Sequence, residues 1–352
     1  MAAEAFDQVP VVDLTRATSS GEDRAALAAE IGAICHEIGF FVVVNHGVNL
    51  ELTNSVFSLM PKMFALDDEV KAQVARERSP HFRGWDPVGA ESTNNRPDIR
   101  EQFDVWTDWP EQSARDAAPY FRLLGPNQWL SDDLVPGHRA IMEAWIGECA
   151  DLAIDLLGLI AMALGLPEDH FAVLFGEQSM SLAKFIHYPP TPEGGAGVNA
   201  HHDTGFLTVL ATGANPGLQV ENQNGEWIEV PTVANSFVIN LGEMLQAMTG
   251  NYLVATPHRV VATDERYSAG YFHGPSLNAE LALIELDDTF VRAVEASPHH
   301  SSAGFMARLD ETDAGVGDMA SETTAETYGQ QLWNYFHRSY PDIVAKHHPD
   351  LV

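Results

Sequence analysis

Residues 181–190 read SLAKFIHYPP, 206–212 FLTVLAT, 217–230 GLQVENQNGEWIEV, 236–242 SFVINLG, 258–263 HRVVAT and 267–274 YSAGYFHG. Each segment is short, rich in β-branched and aromatic residues, and bounded by Gly, Pro or Asn, which is the pattern of strands separated by turns. Asn224-Gly225, between two such runs, signals a hairpin. Many short strands at this spacing describe a double-sheet barrel of the jelly-roll kind.

Upstream the texture is helical. Leu27, Ile31, Ile34 and Ile38 recur at helical spacing, Ser20 with Asp23 offers an N-cap, and Gly39 stands where the helix should stop. FFVVVNHGV (40–48) then reads as a buried strand. Val56, Leu59, Met60 and Met63 predict a second helix kinked at Pro61. A long helix is expected from Ile141 to Leu164, with Trp145, Leu152, Leu156 and Ile160 on its stripe and Gly165 closing it. Near the C-terminus Tyr328, Leu332, Tyr335 and Phe336 share one face of a helix expected from Thr323 to about Tyr340. The expected class is α+β: a double-stranded β-helix (jelly-roll) barrel with a helical N-terminal region and a C-terminal helix. The divisions are 1–130 for the N-terminal region, 131–178 for the scaffold helix and its connection, 179–280 for the barrel core, and 281–352 for C-terminal strands, helix and lid.

Of the 352 residues 45% are apolar and 20% charged, which excludes collagen-like, disordered and disulfide-scaffold classes. Cys35 and Cys149 lie in helical apolar patterns and read as buried thiols. No run approaches the roughly 18 apolar residues of a membrane helix, and MAAEAFDQVP lacks a signal peptide's basic flank, so a cytoplasmic protein without a membrane partner is expected. The net charge of −31, with four lysines, excludes nucleic acid, whose phosphates need basic patches. An acidic, lysine-poor surface suits a high-salt or aggregation-avoiding cytoplasm.

Fifteen histidines are many. His36, His138, His170 and His337 read as surface or capping residues, and His299-His300 and His347-His348 as solvated pairs. NAHHDTGFLTVL (199–210) differs. Strand alternation sends His201 and Asp203 to one side and His202 to the other. A third ligand, His258 of ATPHRVVAT, would complete a two-histidine, one-carboxylate site with open positions on Fe(II). HxD alone also fits a buried His–Asp hydrogen bond. Eight residues on, Arg266 and Ser268 face one way, and an Arg fork beside a hydroxyl suits a carboxylate at the bottom of the barrel.

With these motifs the chain, from about residue 9 to 340, resembles the Fe(II)- and 2-oxoglutarate-dependent oxygenases of the isopenicillin N synthase-like family, bacterial ethylene-forming enzymes among them. The likeness is carried by VPVVDL, GFFVVVNHGV, FRGWDP, Asp98-Ile99-Arg100-Glu101 and Gly125-Pro126-Asn127-Gln128-Trp129, and then by HYPP, HHDTGFLTVL, GLQV, GEWIEV, NLGEMLQAMTGN, ATPHRVV and ERYSAGYF. It implies that His201, Asp203 and His258 bind iron, and that Arg266 and Ser268, with Tyr188 of HYPP, hold the far carboxylate of 2-oxoglutarate. O2 and this cosubstrate would then oxidise, and most simply hydroxylate, a small molecule, releasing succinate and CO2. Three positions depart from the family pattern: Ile186 for Asn, Glu243 for Asp and Lys184 for Arg. An oxidase of the same fold that does without 2-oxoglutarate, and a non-catalytic ligand-binding barrel, are the rival readings.

Lys184, Ile186 and Tyr188 share a strand face, so Lys184 is a candidate to offer positive charge to a substrate carboxylate or to 2-oxoglutarate, with a structural ion pair as its competing role. Arg83 of FRGWDP is the second candidate. Oligomeric state has no signature in the sequence.

Overall fold

Phe40–Val44 is apolar at every position because both its faces are covered. Phe40 and Val42 turn into one core with Ile186, Tyr188, Val198, Leu218, Val220, Val238 and Val260, while Phe41 and Val43 turn into a second with Ile31, Trp145, Phe185, Val209 and Ile239. The alternation of strand side chains thus divides the molecule into layers: the first core lies between two sheets, the second between the larger sheet and the helices.

The computed structural model describes residues 5–351, apart from residues 20, 94–95, 111–117, 177–178, 192–194 and 303–326. Its strands are β1 (Val11–Asp13), β2 (Phe40–Val44), β3 (Gly84–Asp86), β4 (Ser92–Thr93), β5 (Arg96–Pro97), β6 (Glu101–Trp106), β7 (Leu182–Tyr188), β8 (Ala196–His201), β9 (Leu207–Thr212), β10 (Leu218–Glu221), β11 (Trp227–Glu229), β12 (Phe237–Leu241), β13 (His258–Val261) and β14 (Arg266–His273). The larger sheet runs β1-β2-β12-β9-β14-β7-β6-β3 and the smaller β11-β10-β13-β8, with β4-β5 a separate ribbon. β1 pairs with β2 in parallel and the remaining ladders are antiparallel. This is the expected jelly roll, widened at both flanks by N-terminal strands.

The helix Gly21–Glu37 stops at Gly39, whose φ of +67° is left-handed; a Cβ there would stand 1.9 Å from the Val254 carbonyl oxygen. The helix Leu50–Phe64 continues through Pro61 to its end. The long helix spans His138–Ala163, and its Trp145 ring lies 5.8 Å from that of Phe185 on the sheet. The C-terminal helix runs Tyr328–Ser339 with Thr327 as N-cap, followed by a helix over Pro341–His347. Ser20 and Thr323 lie outside the described residues. The hairpin at Asn224-Gly225 is wider than a two-residue turn: Glu221 pairs with Trp227, and the Asn222 carboxamide oxygen accepts from the backbone N–H groups of Asn224 and Glu226.

Several histidines are less exposed than their sequence context suggests. His138, His300 and His348 are buried. His300 bonds through Nε2 to the carbonyl of His36 (2.7 Å) and stacks on that ring at 4.1 Å, and His348 bonds through Nε2 to the Pro80 carbonyl (2.7 Å). Loop carbonyls left without a ladder partner need donors, and an imidazole supplies one together with an apolar ring. No helix among the described residues is long and apolar enough to cross a membrane.

Candidate active site

β8 ends on His201 and β13 begins on His258, and the two residues face each other in the antiparallel register. Their rings are 4.3 Å apart. Asp203 follows two residues past the strand end, where Gly242 packs so closely on Gly205 that a Cβ would sit 2.0 Å from the Gly205 carbonyl oxygen. The Glu243 N–H donates to the Asp203 carbonyl at 2.8 Å. The turn after β12 therefore fixes the backbone that carries the carboxylate.

Nδ1 of His201 lies 2.9 Å from the Asn199 carbonyl, and Nδ1 of His258 lies 3.1 Å from that of Thr256. A carbonyl only accepts, so each Nδ1 carries a proton and Nε2 is the nitrogen left to face a metal. Both Nε2 atoms are 3.6 Å from Oδ1 of Asp203. Burial first, and the neighbouring His258 second, push His201 down to about 4, so its ring is neutral at pH 7. Burial works against ionisation of Asp203, yet His258, His201, Thr208 and Asn240 together hold its carboxyl below the usual range. Two imidazole nitrogens and a carboxylate oxygen thus converge, and the potential ligand atoms all lie within 4.8 Å of one another. Two imidazoles with one carboxylate suit Fe(II). His202 diverges, with Nδ1 3.9 Å from Oε1 of Glu243.

Thr208 Oγ1 (2.5 Å) and Asn240 Nδ2 (2.7 Å) both donate to Oδ2 of Asp203. They leave Oδ1 as the oxygen that faces the two imidazoles. The motif reading passed over this pair, although a polar residue inside SFVINL and another inside FLTVLAT were its visible signal.

Arg266, at the start of β14, pairs with Tyr188 of β7, and its guanidinium carbon lies 4.9 Å from the centre of the Tyr188 ring. It is 2% exposed, and its Nε and Nη1 have no partner among the described residues. A buried guanidinium with donors left over suits an anion. Ser268 Oγ donates to the Tyr188 hydroxyl at 3.3 Å. Arg266, Ser268 and Tyr188 form one polar group at the inner end of the barrel, as a carboxylate pocket would need.

Lys184 faces the same interior, but its ammonium is paired with Asp104 (3.0 Å) and Glu91 (3.2 Å). Arg83 is not brought to this group. Fully buried, its guanidinium donates to the carbonyls of His81, Leu123 and Thr107, and burial pushes it down to about 9. FRGWDP reads as a site motif because a buried arginine that serves main-chain carbonyls looks, in sequence, like one that serves a ligand.

Residues 9–132 match the family described as non-haem dioxygenase in morphine synthesis N-terminal, and residues 176–275 match the 2OG-Fe(II) oxygenase superfamily. A 2-oxoglutarate-dependent dioxygenase of Dothideomycetidae sp. (strain 11243) is 32% identical, covering 81% of this chain and 78% of that protein. A homoarginine-6-hydroxylase of Glycine max is 28% identical over 82% of this chain and 91% of its own. Among solved structures, a dioxygenase for auxin oxidation from Arabidopsis thaliana with 2-oxoglutarate is 25% identical, with a TM-score of 0.58, covering 80% of this chain and 97% of that one. A 2OG-Fe(II) oxygenase family protein from Caulobacter crescentus shares the fold at a TM-score of 0.68, 23% identity, and 83% and 99% coverage. The chain therefore belongs to the non-haem Fe(II)/2-oxoglutarate-dependent dioxygenases of the isopenicillin N synthase-like superfamily, enzymes that use Fe(II), 2-oxoglutarate and O2 to oxidise a small molecule.

Proposed function

We propose that His201, Asp203 and His258 are the iron ligands, that Arg266, Ser268 and Tyr188 hold the far carboxylate of 2-oxoglutarate, and that the reaction is hydroxylation of a small molecule in the cytoplasm. One observation carries this reading: two histidine nitrogens and a carboxylate oxygen converge in the same barrel as a buried guanidinium with two nitrogens that have no partner among the described residues. Iron(II) held by these residues would supply the redox chemistry by which O2 and 2-oxoglutarate, released as succinate and CO2, oxidise the substrate. The chain's own residues have simpler tasks. The Asn199 and Thr256 carbonyls fix the imidazole tautomers, and Thr208 with Asn240 turns one carboxylate oxygen toward them. Arg266 supplies charge and a planar fork for a carboxylate. Phe40, Val42, Val198 and Val260 give the inter-sheet core its apolar lining. Two free, buried cysteines agree with a reducing compartment.

The deciding experiment follows succinate release and O2 uptake with Fe(II), with and without 2-oxoglutarate. Turnover should need 2-oxoglutarate, His201→Ala should abolish tight Fe(II) binding, and His202→Ala should retain it. O2 uptake that ignores 2-oxoglutarate would favour the oxidase reading. Loss of metal in His202→Ala but not in His201→Ala would move the ligand register by one residue.

A further inference from the structure

The carboxylate and the two imidazoles of the iron site are steadied from different parts of the chain. Thr208 and Asn240, which hold Asp203, belong to β9 and β12 of the barrel. The carbonyls that meet the imidazoles are themselves held by residues of the N-terminal region. An Nδ1–H bonded to a carbonyl fixes a ring only as firmly as that carbonyl is fixed.

His201 stands at the end of β8, an edge strand of the smaller sheet. An edge leaves N–H and C=O groups without a ladder partner, and its ends open most easily. Residues 96–99 cover that edge. The Ile99 N–H donates to the Ala196 carbonyl (3.2 Å), and Oδ1 of Asp98 accepts from the backbone N–H (3.1 Å) and from Nδ2 (2.9 Å) of Asn199. Oδ2 of Asp98 accepts from the Thr93 hydroxyl (2.7 Å) and from Arg100 (3.2 Å). Asp98 is 1% exposed and both its oxygens are taken by neighbouring donors. It therefore acts through Asn199, whose carbonyl meets Nδ1 of His201.

His258 depends on the end of the helix Gly21–Glu37. Thr256, whose carbonyl meets Nδ1 of His258, donates its hydroxyl to the carbonyl of Ile38. The two residues before it are pinned as well: the Val254 N–H donates to the Cys35 carbonyl (3.1 Å) and the Ala255 N–H to Oε1 of Gln246 (2.6 Å). Gly39 leaves room for this approach, since a Cβ there would meet both the Val254 carbonyl and Oγ1 of Thr256.

Resting on the assignment of His201, Asp203 and His258 as iron ligands, we infer that the N-terminal region sets the orientation of both imidazoles: Asp98 through Asn199, and the Ile38 carbonyl through the Thr256 hydroxyl. Asp98 and Thr256 are then positioning residues. Loosening either clasp leaves all three ligands in the chain and the carboxylate still held by Thr208 and Asn240, but lets one ring turn away from the common point.

The test is an anaerobic titration of the full chain with Co(II), whose d–d bands report ligand geometry, following band positions and affinity together. Asp98→Ala and Thr256→Val should each shift the bands and weaken Co(II) binding by about three- to tenfold, less than the roughly 10–100-fold of direct partners because each acts one residue removed. Leu156→Ala, a fully buried site on the long helix, should lower Tm but leave bands and affinity unchanged, which separates loss of position from loss of stability. Parental bands and affinity in either clasp variant overturn the inference, as do changes that Leu156→Ala reproduces. Thr256→Val removes one hydroxyl at nearly constant shape, so it decides alone if Asp98→Ala fails to fold. His201→Ala tests the ligand assignment separately. Loss of Co(II) there, with parental behaviour in both clasp variants, keeps the assignment and loses this inference, whereas tight Co(II) binding by His201→Ala overturns both.

Discussion

Asn240 illustrates how much of a metal site is built from residues that never touch the metal. Its amide and the Thr208 hydroxyl take one oxygen of Asp203, which leaves the other facing the imidazoles. Such supporting hydrogen bonds typically change metal affinity by about 10–100-fold. Asn240→Ala should weaken Mn(II) or Fe(II) binding within that range, read by anaerobic titration, while the cooperative unfolding transition persists. Unchanged affinity would show that Thr208 alone orients the carboxylate. Lys184 makes a complementary point: the two-residue period fixed the face on which it lies, but not its partners, because Glu91 and Asp104 are 93 and 80 residues distant in sequence.

Strands and helices were legible where their pattern is local. β2, the long helix and the stop at Gly39 follow from apolar runs, helical periodicity and a left-handed glycine. The environments of the histidines were not, because a tertiary carbonyl leaves no mark on the neighbouring residues. His273 at the end of β14 is the clearest case: its ring stacks on Phe175 at 4.1 Å, Tyr271 and Nδ1 are 3.0 Å apart, and burial pushes it down to about 4. In the unfolded chain its value is about 6.5, so the folded state favours the neutral ring. The stability this provides is complete above about pH 6.5 and is lost as pH falls toward 4, amounting to at most about 3 kcal/mol. His300, likewise pushed down to about 4 by burial, acts in the same direction. His273→Phe should therefore show a smaller drop in Tm between pH 7 and pH 4 than the parent. Parallel curves would mean that His273 titrates alike in the folded and unfolded states.

The charge of the chain as a whole acts on a different length. With 50 acidic residues against 19 Lys and Arg, self-repulsion opposes the folded state and salt relieves it. Tm should rise between 0.05 and 1 M NaCl; a flat or falling curve would show the charges to be balanced locally. The sheet order has a separate consequence, for the time during which the protein is made. Both flanks of the larger sheet, β1-β2 and β6-β3, come from residues 11–106, and its centre from residues 182–273. β2 leaves the ribosome roughly two hundred residues before β12, the strand it pairs with, which at typical elongation rates is a delay of about ten to forty seconds. Throughout that interval the apolar segment Phe40–Val44 lacks both its β12 partner and the smaller sheet that covers one of its faces. The newborn chain therefore depends on whatever shields its amino-terminal third until synthesis passes residue 241.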